Sequence, residues 1–228
     1  VAALRATEER LQLAQESAHV GIWEWDMRTD ECYWSPEYER LYGLEPGSLR
    51  VQRDWFDRLH PDDRPLIEAL QESRIARGLP FEVEFRIRRG DGAIRWMLSV
   101  GSTHCDEQGK PVRLSGINLD VTERKLAELQ LRQLALAVEQ SPESVIITDP
   151  AGRIEYVNQA FERNTGYARA EAIGRNPSML QSGHTPREAY AAMWAALRRG
   201  EVWKGELANR RKDGTEYIDS AIIAPLRE

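Results

Sequence analysis

The chain repeats itself along its length. The stretch LQLAQESAHVGIWEWD, which begins at Leu11, aligns with LALAVEQSPESVIITD, which begins at Leu134, at an offset of 123 residues. Without a gap, the same offset pairs Tyr33 with Tyr156. Further on, EFRIRRGDG aligns with ELANRRKDG at an offset of 122. A drift of one residue over so long a stretch indicates a duplicated domain, so the chain must fold as two copies of one architecture.

Each copy contains the same series of predicted elements. A strand (VGIWEWD in the first copy, SVIITD in the second) leads to a second strand, short helical turns and a longer helix, predicted over residues 61–77 and 186–199. In the first copy FEVEFRIRR and AIRWMLSV flank an Asp-Gly turn, which is typical of a β-hairpin, and VRLSGINLDV follows. The pattern predicts an α+β fold in which each copy has a five-stranded antiparallel sheet with helices on one face.

The second copy is shorter at its end. About thirty residues separate the Asp-Gly turn from the end of the closing strand in the first copy, whereas residues 215–228 are all that follow it in the second. We therefore expect the second copy to lack its last strand and to leave a sheet edge exposed. The predicted boundaries are an opening helix over residues 1–10, a first domain over 11–122, a linker helix over 123–140 and a C-terminally truncated second domain over 141–228.

The linker DVTERKLAELQLRQLALAVEQ has the pattern of a helix. Asp120 and Glu123 resemble a capping box at its start. At spacings of 4, 3 and 4, one apolar seam is formed by Ala127, Leu131, Leu134 and Val138. Two interpretations stand: the helix packs against its own sheet, or it pairs with a second copy of the chain in a homodimer. The dimer is favoured by further apolar surface that one sheet would not cover, at Leu126, Leu129 and Leu136.

Composition excludes several classes of function. A net charge of −6 and a pI near 5.4 argue against nucleic acid as a partner, because phosphate binding needs clustered cations. No apolar run approaches the roughly 20 residues of a membrane span, and the charged start VAALRATEERLQ is unlike a signal peptide. The missing initiator Met indicates a piece of a longer protein, with a membrane segment, if it has one, elsewhere. We expect this piece to be cytoplasmic and free of membrane contact.

Neither catalysis nor metal binding is indicated. The two cysteines, Cys32 and Cys105, show no metal-ligand spacing and fit a reducing compartment. His19, His60 and His104 have no metal-like spacing either. No GxGxxG, P-loop or convergent nucleophile pattern occurs, so we predict no catalytic residue, no metal site and no enzymatic activity in this chain.

Three stretches carry a resemblance to a known family: SVIITDPAGRIEYVNQAFERNTGY, WKGELANRRKDGTEY and LDVTERK. They resemble tandem PAS domains over nearly the whole chain, and the RLHPDDR stretch of the first copy is similar to a broader PAS subclass with Trp-rich opening strands. The resemblance implies a sensory and protein-interaction module of a bacterial signalling protein. It also implies a C-terminal output domain of kinase, cyclase or phosphodiesterase type.

Within that family, GRNPSMLQSGHTP followed by WKGELANRRKDG resembles the flavin-binding redox sensors of the nitrogen-fixation regulator type. It also resembles the LOV photoreceptors, in which a reactive cysteine follows the Asn of a GRN-type motif. Pro177 stands at that position here, and proline has no thiol, so the photochemical cysteine adduct is excluded. The resemblance therefore implies bound flavin, FAD by similarity to the redox-sensor branch, and sensing of redox state or oxygen.

The strand after the polar loop differs between the copies. Alternation places four residues of the second copy on one face: Trp203, Gly205, Leu207 and Asn209. The same positions of the first copy hold Phe81, Val83, Phe85 and Ile87, which predicts a filled core and no ligand there. In the second copy the Gly removes volume, and a buried, unpaired Asn amide would cost about 1–3 kcal/mol, so it needs a partner. On the next strand, Asp219 stands where the first copy has Met97.

By motif, four residues match positions that contact the flavin ring in flavin-binding PAS domains: Asn176, Gln181, Asn209 and Asp219. Trp203 and Leu207 complete the predicted cofactor site. Amide side chains suit the uracil-like edge of the ring because they donate and accept at once. His184 is a candidate haem ligand, but a loop His before Thr-Pro is more often a cap or surface group. Two functions stay open: a flavin-based redox or oxygen sensor, and a ligand-free module for dimerisation and protein interaction.

Overall fold

A computed structural model describes Leu13 and residues 17–226, and the chain divides between Leu129 and Gln130 into two compact units. The helix predicted over residues 1–10 lies outside the described residues. Among the helices that are described, none is long and apolar enough to cross a membrane.

The first unit is a single sheet with helices. Its described strands and α-helices are, in chain order, β1 (Val20–Asp26), β2 (Glu31–Trp34), α1 (Pro36–Leu41), α2 (Gln52–Phe56), α3 (Arg64–Ser73), β3 (Phe81–Arg88), β4 (Ile94–Cys105) and β5 (Pro111–Asp120). Short 3-10 helices flank α3 at Pro61–Asp63 and Ile75–Arg77. The strands pair in the order β2-β1-β5-β4-β3, and every pairing is antiparallel. The predicted five-stranded antiparallel sheet is thus confirmed for the first copy.

The last strand of this sheet lies at its centre. On one side β5 pairs with β1, where Val20 lies opposite Leu119, and on the other side it pairs with β4, where Leu98 lies opposite the same Leu119. A sheet without β5 would therefore separate into two pairs of strands rather than lose one edge.

The second unit shows this separation. Beyond α4 (Thr122–Glu139), which joins the units, its described elements are β6 (Ile146–Thr148), β7 (Ile154–Val157), α5 (Gln159–Thr165), α6 (Arg169–Ala172), α7 (Arg187–Arg199), β8 (Trp203–Arg210) and β9 (Glu216–Ile223). The strands form two separate sheets of two strands, β6-β7 and β8-β9. The prediction of one sheet with an exposed edge is wrong here, because no described strand follows β9 to take the central place.

The core of the first unit is built on the inward face of β3. Phe81, Val83, Phe85 and Ile87 are all buried, while the residues between them are half-buried or exposed. A cavity of about 60 Å³ remains between this face and α3. Because cofactor pockets measure several hundred Å³, the described core is close to filled, in agreement with the sequence pattern.

A buried amide ties β5 to the helices of the first unit. Asn118 is almost fully buried, and its Oδ1 accepts a hydrogen bond from Trp23 Nε1 at 3.1 Å. Its Nδ2 donates to the hydroxyls of Tyr38 at 3.3 Å and Tyr42 at 3.0 Å. Trp55 Nε1 also donates to the Tyr42 hydroxyl, at 2.9 Å. Buried polar groups need such partners, and these side chains satisfy one another.

The linker helix α4 is anchored at both ends. At its start the Asp120 carboxylate accepts the Thr122 N–H at 2.8 Å, and the Thr122 hydroxyl accepts the Trp96 N–H at 2.8 Å. At its end Glu139 accepts a hydrogen bond from the Tyr156 hydroxyl at 2.6 Å and pairs with Arg169 at 2.7 Å. Each half of α4 is thereby held by the unit to which it belongs.

The start of α3 is fixed to β3 by Asp63. This buried carboxylate accepts the backbone N–H of Arg86 at 2.7 Å and the guanidinium Nη2 of the same residue at 2.6 Å. The hydrogen bonds from Arg86 lower the pKa of Asp63. The RLHPDDR stretch therefore carries an anchor that joins a helix to the sheet.

Replacing Asp63 with Asn should destabilise the first unit by roughly 1–3 kcal/mol at neutral pH, because a charged hydrogen-bonding partner of Arg86 is lost. The pKa of Asp63 is lowered in the folded state, so its contribution is present above about pH 4 and is lost as the pH falls through the folded pKa. The deficit, measured by urea unfolding, should therefore shrink in acid. The matched control Asp62→Asn alters an exposed carboxylate that lies farther from the Arg86 guanidinium, at 3.5 Å, and should change stability by less than about 0.5 kcal/mol. Equal effects of the two variants would contradict this role.

Candidate functional site

The hairpin of the second unit keeps the register of the first. Phe85 lies opposite Met97 in the β3–β4 pair, and Leu207 lies opposite Asp219 in the β8–β9 pair, 122 residues further on. Each of the eight paired positions of β3 and β4 has its counterpart at this offset. The sequence comparison that contrasts Asp219 with Met97 therefore compares equivalent places in the fold.

The inward face of β8 is less well covered than that of β3. Asn209 is buried, whereas Trp203, Gly205 and Leu207 are only half-buried. The Trp203 ring lies across Gly205, since a Cβ at position 205 would come within 2.4 Å of a ring atom. The volume that the glycine frees is thus taken by Trp203 itself, which the sequence pattern did not indicate.

Asn209 and Asp219 come together on this face. The Asn209 Nδ2 lies 3.5 Å from Asp219 Oδ2, which is the outer limit of a hydrogen bond. Burial raises the pKa of the Asp219 carboxyl and also that of the Tyr217 hydroxyl. The face therefore presents an amide and a carboxyl that are held only weakly by each other.

The polar loop before α7 is attached to the free edge of β8. We call residues 181–185 the edge strap. The Ala208 carbonyl accepts hydrogen bonds from the Ser182 N–H at 3.2 Å and the Ser182 hydroxyl at 2.7 Å. The Ala208 N–H donates to the Thr185 hydroxyl at 2.8 Å, and Gln181 forms a β-bridge with Asn209. The short polar side chains thus satisfy backbone groups of an edge strand.

The first unit has a corresponding strap at residues 59–63, and the bridged pair in it is apolar. There the bridge joins Leu59 to Ile87, and both of these apolar side chains are buried. The two residues lie 122 positions before Gln181 and Asn209. At this bridge the second unit has two amide residues instead, of which Asn209 is buried and Gln181 is exposed. Sequence reasoning missed the strap residues Ser182 and Thr185, although the offset of 122 carried back to residue 59 would have found them.

Asn176 lies apart from this group. It is exposed, and its side chain serves the local loop: Oδ1 accepts the Ser178 N–H at 2.9 Å and Nδ2 donates to the Gly152 carbonyl at 2.9 Å. The structure shows no contact between Asn176 and the Asn209–Asp219 pair. His184 Nδ1 lies 3.0 Å from the Glu216 carboxylate on the surface, as expected of a surface group.

Comparison with known proteins identifies the fold. A family model described as PAS fold matches residues 31–118, and one described as PAS domain matches residues 142–228. A sensory box histidine kinase/response regulator from Burkholderia thailandensis E264 has a solved structure with 31% sequence identity and a TM-score of 0.52. The match covers 58% of this chain and 99% of that one. The chain belongs to the PAS family, as two tandem domains.

Two curated relatives place these PAS domains in signal transduction. The probable diguanylate cyclase DgcE of Escherichia coli (strain K12) is 31% identical over 170 residues, which is 73% of this chain and 15% of the relative. A nitrogen fixation regulatory protein of Klebsiella oxytoca is 42% identical over 89 residues, or 39% of this chain and 18% of the relative. The chain spans less than a fifth of the length of either protein. It is a PAS sensory module, and its homologues carry kinase or cyclase domains elsewhere.

Replacing Asp219 with Asn should change how stability depends on pH. Because burial raises the pKa of Asp219, its contribution favours the folded state in acid and is lost as the pH rises through that raised pKa. The Asn variant should therefore gain stability relative to the wild type as the pH rises from about 4 to about 7, as measured by urea unfolding.

The control lies in the same hairpin. Hydrogen bonds from Thr215 lower the pKa of Asp213, so the variant Asp213→Asn should lose stability relative to the wild type as the pH rises from acid. Slopes of the same sign for both variants would contradict the burial of Asp219.

Proposed function

We propose that the second PAS domain binds flavin, as FAD, and that the module senses redox state or oxygen through it. One observation carries the proposal. Where the first domain has the apolar bridge Leu59–Ile87, the second has the amides of Gln181 and Asn209. The carboxyl of Asp219 adjoins the amide of Asn209, in the place of a fully buried Met97. The three positions lie on three neighbouring segments, which are the edge strap, β8 and β9.

The donor set suits the polar edge of an isoalloxazine ring. The two amides can each donate and accept, and the Asp219 carboxyl, with its raised pKa, can donate when it is protonated. Trp203 and Leu207 supply apolar surface for the plane of the ring. The nitrogen fixation regulatory protein, 42% identical over the length of one PAS domain, adds support.

Flavin supplies a ring that gains a proton at N5 on reduction, so a neighbouring hydrogen-bond acceptor is then needed where a donor served before. The Asn209 side chain meets both needs by turning its amide, since its contact with Asp219 at 3.5 Å is weak enough to be exchanged. Tyr156 of β7 holds the end of α4, whereas the proposed site lies on β8 and β9. A strand between β6 and β9, in the place that β5 takes in the first domain, would connect the proposed site to the end of α4.

Replacing Asn209 with Ile, the residue of the first domain at this position, should remove the flavin. Full-length protein purified in the dark should be yellow, and the variant should lose at least about 90% of the flavin absorbance while its circular dichroism is unchanged. The control Glu206→Ile introduces the same side chain on the exposed face of the same strand and should stay yellow. Colourless wild-type protein that also refuses added FAD would overturn the proposal.

A second candidate function, dimerisation and protein interaction, is supported by the surface of α4. Six of its apolar side chains are between 37% and 68% exposed: Leu126, Leu129, Leu131, Leu134, Leu136 and Val138. This exposure disfavours the interpretation that the helix packs against its own sheet. Three of them, Leu131, Leu134 and Val138, lie on one face of the helix at spacings of 3 and 4. An exposed apolar seam of this kind marks an interaction site, and we infer that its occupant is α4 of a second copy. The homodimer would then present its output domains, of kinase, cyclase or phosphodiesterase type, as a pair.

Replacing both Leu131 and Leu134 with Glu should weaken the dimer at least about a hundredfold in Kd, because each buried leucine contributes roughly 1.5–3 kcal/mol. Sedimentation over a range of concentrations measures the change. The control Arg132→Glu makes the same change of two charge units at an exposed position on another face of the same helix and should leave Kd within about threefold. A wild-type protein that stays monomeric, or equal losses in both variants, would argue against this interface.

A further inference from the structure

Ala208 is the point at which the edge strap holds β8. Both backbone groups of this residue turn towards the strap: the carbonyl accepts from Ser182, and the N–H donates to the Thr185 hydroxyl at 2.8 Å. Arg210 adds a third attachment, because its guanidinium donates to the Ser182 carbonyl at 3.0 Å. The residue between Ala208 and Arg210 is Asn209, so the attachments flank the buried amide on both sides.

The first domain makes the corresponding backbone bond with a charged group. There the carboxylate of Asp63 accepts the N–H of Arg86, and Thr185 and Ala208 lie 122 residues further on. The Asp63 charge is balanced by the guanidinium of Arg86. In the second domain Ala208 takes the place of Arg86. A carboxylate at position 185 would therefore have no guanidinium at that place to balance its charge. A neutral hydroxyl makes the same backbone bond without adding charge to the strap.

We propose that Thr185 and Ser182 are positioning residues that fix the amide pair Gln181–Asn209 for ligand recognition. The inference rests on the proposed function for the identity of the ligand. The β-bridge from Gln181 to Asn209 exists only while the strap follows β8, and the strap is attached on either side of Asn209 by these hydroxyls and by Arg210. Loosening the strap separates the two amides, so a ligand that contacts both of them is bound less tightly.

The test replaces Thr185 with Val, which has the same shape and no hydroxyl. Two readouts are followed in the isotope-labelled chain by NMR without flavin: hydrogen exchange of the Ala208 amide and the side-chain amide signals of Asn209. A third is the Kd for added FAD, measured in the full-length protein. We expect Ala208 exchange to accelerate and the Kd to rise, each about five- to tenfold, because one hydrogen bond contributes a free energy of that size. We also expect the Asn209 signals to shift.

Two control variants accompany it. Thr185→Ser keeps the hydroxyl and should stay within about threefold of the wild type in exchange and in Kd. Thr215→Val removes a hydroxyl that contacts Asp213 in the β8–β9 turn, and it should change neither Ala208 exchange nor the Asn209 signals.

The outcomes separate this inference from the proposed function. Wild-type Ala208 exchange and wild-type Asn209 signals in Thr185→Val would overturn the positioning role whether or not flavin binds. Faster exchange with an unchanged Kd for FAD would also overturn it, because the strap would then hold the strand without affecting the ligand. If wild-type protein takes up no FAD while the NMR changes occur, the proposed function fails and the positioning of the amide pair stands.

Discussion

Backbone hydrogen bonding along β5 is the constraint on which the first PAS domain depends. This strand pairs with β1 and with β4, so it joins two hairpins that are distant in sequence. Its side chain Asn118 connects the sheet to the helices through Tyr38 and Tyr42. Its last residue, Asp120, then accepts the first N–H of α4. One strand thus connects the sheet, the helical layer and the linker.

The two domains treat a buried amide in opposite ways. In the first, Asn118 is surrounded by partners that use its donors and its acceptor, so the amide is part of the framework. In the second, Asn209 is also buried, yet its contact with Asp219 is at the limit of a hydrogen bond. An amide with a saturated set of partners specifies a rigid core. An amide with a weak partner is available to a ligand, so the two buried amides differ in the role that they can take.

The repeat predicted the fold of the first domain and the facing residues of the second, because an offset of 122 carries strand register from one copy to the other. It aligned Asp219 with Met97, and the two residues hold equivalent places in the strand register. It did not predict that β5 is central, since the order of strands along the chain does not state their order in the sheet. Nor did the pattern show that Asn176 serves its own loop or that Trp203 covers Gly205, because both depend on which rotamer and which neighbour satisfy a group locally.

The outer edge of β9 corresponds to the edge of β4 that β5 covers in the first domain, and it has a consequence for an assembly in which no strand of the same chain covers it. No described strand pairs with that edge, and Ile218 and Ile222 on β9 are 64% and 69% exposed. A row of unpaired backbone groups beside apolar side chains is a template onto which a strand of another molecule can add. Two chains that met there would form one sheet across the boundary between the molecules. The two-fold axis that relates them would pass between the paired strands and not along a bundle of linker helices. Such an association would join the two β8–β9 hairpins edge to edge and leave open the face of each that carries Asn209.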